Sequence, residues 1–332
     1  MSKLMNQSQD FVTESLRGIL KAHSRIYTCA NGNVRALHLQ KAAPGKVSIV
    51  TGGGYGHLPL FLGYVGEGLC DGAAVGNVFT SPSCETILDV SRAVANDAGI
   101  LYLFGHYFGD CMNFEMAAEI MASEGVKTKC FMASDDLASA PREAWRERRG
   151  IAGIAFLYKI AGAAAQAGAT LEEVHELVAE TAERISSFGV SFSSCTLPGA
   201  RQPIFEIRDG EMEIGMGIHG EPGLKREKLF TSQELARIMT ERLYEEGTLA
   251  AGKQIALLLN GLGATSREEL YLFYNDLETC FSQKGVSIAK PYVGEYVTSM
   301  EMSGVSVSVL PLNERLSQYM EAGACAPMLH ML

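Results

Sequence analysis

The sequence predicts an α/β protein of two α/β subdomains, with mostly parallel or mixed sheets and a site in the cleft between them. Two observations carry this. Apolar runs ending in glycine or polar loops alternate with helical patterns through the first half of the chain. Past residue 190 the character changes to shorter strand-like pieces bounded by proline and glycine. The subdomains are therefore drawn as 1–190 and 191–332.

KVSIVTGGG (46–54) is a buried-strand run, and GAAVGNVFTSP (72–82) a second strand running into a loop. GILYLFG (99–105) is a third strand, MNFEMAAEIMASEG (112–125) a helix, and KTKCFMASDD (127–136) a fourth strand. Two helices follow over 160–186, broken at the glycine near 168. In the second half, SFSSCTLPGARQPIFEI and EMEIGMGI read as strands and 232–247 as a helix. QIALLLNG (254–261) reads as a strand, 266–284 as a helix and VSVSVLPL (305–312) as a late strand.

At 332 residues, 47% hydrophobic and 20% charged, the chain is long and apolar enough for two cores. A net charge of −10 with no basic block argues against nucleic acid or anionic membrane as a partner. The N-terminus lacks the basic and apolar regions of a signal peptide, and no apolar run reaches the roughly 20 residues of a membrane span. Eight scattered cysteines without zinc spacing read as reduced thiols, so a cytoplasmic location is expected.

Three stretches hold chemistry-bearing residues. TGGGYGHLP (51–59) is neither a Walker loop nor a dinucleotide fingerprint, so it presents His57, as a functional imidazole or in a plain tight turn. GHYFGDCMNFEMAAEI (105–120) puts Asp110 between a strand and a helix, where it suits a helix N-cap or a general base. GMGIHGEPG (215–223) sets His219 among four glycines, either as an imidazole that could meet a carbonyl carbon with little obstruction, with Glu221 and Pro222 fixing the loop, or as an incidental or hydrogen-bonded core histidine in a plain tight turn. LNGLGATS (259–266) is an anion site at a helix N-terminus or a well-made connection. The other histidines (23, 38, 106, 175, 330) form no metal pattern.

Taken together, TGGGYGHLP, GNVFTSP (76–82), GDCMNFEMAAE (109–119), RRGIAG (148–153), GIHGEPG (217–223), NGLGAT (260–265) and VGEYVTSMEMSG (293–304) resemble the substrate-binding subunit of dihydroxyacetone kinases, in order and over nearly the whole chain. The resemblance implies two α/β subdomains around a cleft, a homodimer, and a covalent hemiaminal between His219 and the ketone carbon of a short ketose. It implies that His57 and Asp110 are the acid–base pair for the terminal hydroxyl. Gly54, Tyr55, Gly56, Ser81 and Gly105 fall at positions of the substrate pocket. No cofactor is expected on this chain. ADP or ATP and magnesium belong to a helical partner subunit, which a phosphotransferase-system protein rephosphorylates in many bacteria. With no nucleotide motif of its own, the chain is expected to be the separate subunit.

The departures from the family pattern lie near the chemistry. Tyr55 and Leu58 replace the serine and glutamate of GGGSGHEP, and Gly105 and His106 replace a lysine and an asparagine. Asn77 stands where glutamate is common, and the ending APMLHML lacks a tryptophan. Loss of the lysine makes space, some of which Tyr55 is expected to take. Two consequences are open: a larger ketose such as erythrulose, or a ketose sensor serving as co-activator of a transcription regulator.

Overall fold

A computed structural model describes residues 3–331 except Ala42 and Pro44; the side chains of His330 and Met331 lie outside the described residues. The chain opens with α1 (Phe11–Ala22), then β1 (Tyr27–Cys29), β2 (Ala36–Leu39), β3 (Ser48–Tyr55) and β4 (Gly72–Val78). Next come α2 (Cys84–Val94), β5 (Ile100–Gly105), α3 (Phe108–Ser123), β6 (Thr128–Ala133), α4 (Ile154–Gln166) and α5 (Leu171–Ala182). The second sheet starts with β7 (Ser186–Ser191), β8 (Glu211–Ile214) and β9 (Lys225–Lys228), followed by α6 (Ser232–Glu245), β10 (Gln254–Gly261) and α7 (Arg267–Gln283). The chain closes with β11 (Ser287–Gly294), β12 (Gly304–Pro311), α8 (Glu314–Glu321), β13 (Ala324–Ala326) and β14 (Leu329–Met331).

The first sheet has the order β1-β2-β4-β3-β5-β6. Strands β4, β3, β5 and β6 run parallel, with β6 at one edge, and β1–β2 extend the other edge antiparallel. Helices α2 and α3 cover one face through Ile87, Val90, Phe114 and Met121. The other face meets α4 and α5, so β3 and β5 are buried along their full length. Because β4 and β5 flank β3 on opposite sides, the loops after these strands meet at a topological switch point, where ligands of open α/β sheets bind.

The second sheet, β11-β10-β12-β7-β8-β9, is mixed: only β10 and β11 pair in parallel. Helices α6 and α7 pack on one face through Leu235, Met239, Phe273 and Leu277. Each starts at a capping box, Thr231 with Glu234 and Ser266 with Glu269, which satisfies orphan N–H groups of the first turn.

Helix α4 joins the two layers. Every residue from Ile154 to Ala165 is buried, as expected of a helix apolar all round. Phe156 meets Tyr292 of β11 edge-on at 6.3 Å, and Gly162 lies on the backbone of Gly68 and Leu69. Phe156→Ala is expected to cost about 3–5 kcal/mol. The buried Lys159 is the exception to the apolar helix. Its ammonium donates to the carbonyls of Tyr319 and Ala322 at the end of α8, and burial pulls its pKa down to about 8.

Three expectations shift. The change of sheet falls at Ser186, a few residues ahead of 190, because β7 pairs with β12 and β8. Leu310, Leu316, Met320, Ala324 and Leu329 pack into the first core, so the chain's last elements return to the first layer. No strand forms over 192–207 beyond the end of β7. There Ile204 N–H bonds to Cys195 O and Phe205 N–H to Ser194 Oγ, while Ile204 and Phe205 pack beside Met216. Among the described residues, no helix is long and apolar enough to cross a membrane.

Candidate functional site

The loops after β3, β4 and β5 bring His57, Ser81 and Asp110 to one end of the first sheet. The loop after β8 brings His219 from the second. The two imidazoles meet edge to face, with ring centroids 4.7 Å apart.

His57 is buried, and its Nδ1–H donates to the carbonyl oxygen of Thr298 at 2.7 Å. A carbonyl can only accept, so the proton sits on Nδ1 and Nε2 keeps its lone pair. That Nε2 is buried and has no protein partner among the described residues. Burial, reinforced by His219, lowers the His57 pKa to about 3, which keeps the ring neutral at physiological pH.

His219 is partly exposed and held differently. Glu221 accepts from both its backbone N–H and its Nδ1–H, each at 2.9 Å. Burial works to raise the Glu221 pKa, but the hydrogen bond and charge of His219 outweigh it and bring it to about 2. The carboxylate therefore orients the ring, holds the proton on Nδ1 and leaves Nε2 with its lone pair. This corrects the reason for the glycines. The space beside Gly217 is filled by the Glu221 carboxylate and Arg149, and that beside Gly220 by Ile204 and Phe205. They admit protein groups that lock the loop, rather than leaving room for a ligand.

Asp110 is not the cap of α3. The helix begins at Phe108, with Tyr107 at the cap position making no side-chain cap bond, and Asp110 lies in the first turn. Its Oδ1 is buried without a protein partner among the described residues. Burial raises its pKa to about 6, while the neighbouring Ser81 hydroxyl and His219 pull it back. Buried polar atoms of this kind are completed by a hydrogen bond, so His57 Nε2 and Asp110 Oδ1 are the two acceptors here with hydrogen-bonding capacity left over.

The other expected residues divide. A Cβ on Gly54 would fall 2.7 Å from Thr80 N, and one on Gly56 2.9 Å from the Phe79 ring; both glycines let the 79–80 turn lie on β3. Ser81 packs against Gly109, where a Cβ would meet its Oγ at 2.7 Å. A Cβ on Gly105 would meet the Tyr107 ring at 3.1 Å, so Tyr107, not Tyr55, occupies the space beside it. Tyr55 turns to α1, its hydroxyl 2.5 Å from Ser15 Oγ and its ring on Phe11.

Several contributors went unread in the sequence. The Tyr107 ring stands edge-on to His219 at 4.6 Å, with its hydroxyl donating to Gly150 O at 3.0 Å. The 298–300 segment ties the two histidine loops together. Thr298 N–H bonds to His57 O, Met300 N–H to Gly56 O, and the Ser299 hydroxyl to Ile218 O. Asn260 holds that segment, donating to Val297 O and accepting from Tyr296 and Val297 N–H. Arg149 of RRGIAG pairs with Asp136 at 2.7 Å and donates to Gly215 O. The only sequence signal for these roles was their place inside long motifs. Among the described residues, no group of three or more His, Cys, Asp or Glu could hold a metal.

Fold and site together define a two-layer α/β protein in which the His219 imidazole of one layer meets the buried His57 imidazole of the other, near the buried Asp110 carboxyl. The chain belongs to the Dak1 domain family, whose model matches residues 17–328. It is 43% identical to a D-erythrulose kinase of Mycolicibacterium smegmatis over 98% of this chain and 56% of that protein, so it spans about half that relative's length. It is 40% identical to the dihydroxyacetone-binding subunit of PTS-dependent dihydroxyacetone kinase 1 of Listeria innocua, over 95% of each chain. Among solved structures it is similar to the dihydroxyacetone kinase operon co-activator Dha-DhaQ, with TM-score 0.87, 29% identity and coverage of 94% of this chain and 96% of that one.

Proposed function

We propose that this chain captures a short ketose on His219 and presents its terminal hydroxyl for phosphorylation. The observation that carries this reading is the pair of buried, unpartnered acceptors, His57 Nε2 and Asp110 Oδ1, set beside an imidazole whose Nδ1 is committed to Glu221. In capture, the Nε2 lone pair of His219 attacks the ketone carbon and the C=O π pair moves to oxygen. A C–N bond forms, and the oxygen gains a proton as the ring gives up the one Glu221 shares. Glycerol has no carbonyl and escapes this selection.

In transfer, Asp110 takes the proton of the terminal hydroxyl as its oxygen attacks the γ-phosphorus, while the neutral His57 orients that hydroxyl. The leaving group is the nucleoside diphosphate. That nucleotide and its magnesium ride on a helical kinase domain or subunit, with ATP or a phosphotransferase-system protein as the ultimate donor. The working form is a cytoplasmic homodimer. The substrate class is three- and four-carbon ketoses, and the 43% identity to an erythrulose kinase favours the four-carbon member.

The test is phosphorylation of dihydroxyacetone and both erythrulose enantiomers in the presence of a nucleotide-carrying helical partner. Turnover that Asp110→Asn abolishes supports the kinase reading, and no turnover with any ketose and partner refutes it. The similarity to a co-activator keeps one second reading, a ketose sensor. It predicts ketose capture without turnover and ketose-dependent binding to a DNA-binding regulator, and absence of that complex sinks it.

A further inference from the structure

We propose that Phe79 is a positioning residue that fixes the ring plane and tautomer of His57 against His219, so that a captured ketose and its base stand in register. The inference rests on the ketose-capture reading and adds a residue to which neither the motifs nor the pair of acceptors assigns a role. The Phe79 ring stacks on His57 at 4.8 Å and 21°, and its edge meets His219 at 5.6 Å and 78°. It is the side chain that touches both imidazoles through parallel stacking on one and edge contact on the other.

The fold accommodates this ring at a cost in local geometry. Phe79 has φ +55°, a left-handed conformation that bulky residues seldom adopt. Of the four non-glycine residues with positive φ among the described residues, three surround His57: Phe79, Phe61 and Met300. Phe61 stands edge-on to His57 at 6.3 Å, and the Met300 N–H bonds to Gly56 O, next to His57 in the chain. Strain clustered this way persists where surrounding structure over-determines it, typically at functional sites. Gly54 and Gly56 are cleared for the same turn, and the Phe79 N–H is pinned to Tyr55 O at 2.9 Å.

The Thr298 carbonyl sets the Nδ1 tautomer only while the His57 ring keeps the orientation that aligns that bond. The Phe79 face stacked on the ring restrains its plane and so keeps Nδ1 aligned on that carbonyl. The titratable groups that act on His57 are His219 and Glu221. Phe79 adds no charge, so its effect is steric and is separable from theirs.

The experiment is long-range 1H–15N NMR of the histidine rings in the full chain, alongside ketose capture and turnover with the nucleotide-carrying partner. Wild-type His57 is expected to show a single tautomer protonated at Nδ1. Phe79→Leu is expected to average the His57 tautomers and lower kcat about 10–100-fold, the scale of a small misplacement at a reacting centre, with capture within about threefold. Phe79→Met, which keeps apolar volume without a flat face, reads the same split should the leucine variant misfold; Phe79→Tyr restores both signals. The proposal is overturned if His57 keeps one tautomer without the aromatic ring, or if capture and turnover fall by the same factor. Absence of capture by the wild type would refute the ketose reading instead, and the tautomer measurement would still decide the role of Phe79.

Discussion

His57 and His219 offer the same ring from two layers of one protein, yet their surroundings make them different reagents. The first is buried, has a backbone carbonyl as partner, and carries a pKa lowered by burial to about 3. The second is partly exposed and has a carboxylate as partner. A carbonyl partner fixes a tautomer without adding charge, leaving a neutral acceptor. A carboxylate partner fixes the same tautomer on a partly exposed ring and leaves Nε2 with its lone pair, which the proposed function makes the nitrogen that bonds to carbon. Division of labour between two chemically identical side chains thus follows from their second hydrogen bonds.

The largest break in this comparison is His219→Ala, which removes the proposed nucleophile. Ketose adducts and turnover should both drop below detection, by native mass spectrometry and by a coupled assay. Asp110→Asn comes next. It should lower kcat about 10²–10⁴-fold while capture survives, since it removes proton acceptance alone. The same substitution should stabilise the fold. The folded pKa of Asp110, about 6, lies above its ordinary 3.8, so ionisation costs the folded state. That cost is absent below about pH 4, grows as pH rises toward about 6, and is full at pH 7, where relieving it is worth about 1–3 kcal/mol in a denaturant titration.

Glu221→Gln should weaken capture about tenfold, the loss of one charge-assisted hydrogen bond, and leave the Asp110-dependent step in place. Turnover should also fall as pH drops through about 6, when Asp110 takes up a proton; His57, with its pKa near 3, adds no limb in that range. The smallest effect is expected from Gly105→Ala. Its Cβ would press on the Tyr107 ring, shifting the wall against His219 and changing the ratio of kcat/KM for erythrulose over dihydroxyacetone a few-fold.

The two regions also differ in how far their sequences could be read. β3, β4, β5 and β10 were legible because each is a continuous apolar run closed by glycine or a polar loop; His57 follows β3 and Asp110 follows β5, while His219 was legible from its glycine-rich loop after β8. The start of α3 was not. Its first turn holds exposed Phe108 and Gly109, and no side chain caps it, so the helical pattern shows only from residue 112. The stretch 192–207 reads as strand by residue type, but its apolar side chains serve a loop packed beside Met216. Phe79 and Tyr107 were missed because aromatic residues near glycine look like ordinary core. Thr298 and Ser299 were missed because their roles are backbone contacts made across about 240 and 80 residues of chain, as Thr298–His57 and Ser299–Ile218. Tyr55 misled for the opposite reason, since its motif position is in the loop while its side chain faces α1.

The central claim is that His219 alone forms the bond to the ketose and His57 does not. The most direct measurement is 13C NMR of carbonyl-labelled dihydroxyacetone and erythrulose bound to wild type, His57→Ala and His219→Ala. The account predicts that the carbonyl signal gives way to a tetrahedral carbon in wild type and in His57→Ala, and remains a free ketone in His219→Ala. A tetrahedral signal that survives His219→Ala, or one lost only in His57→Ala, would contradict it.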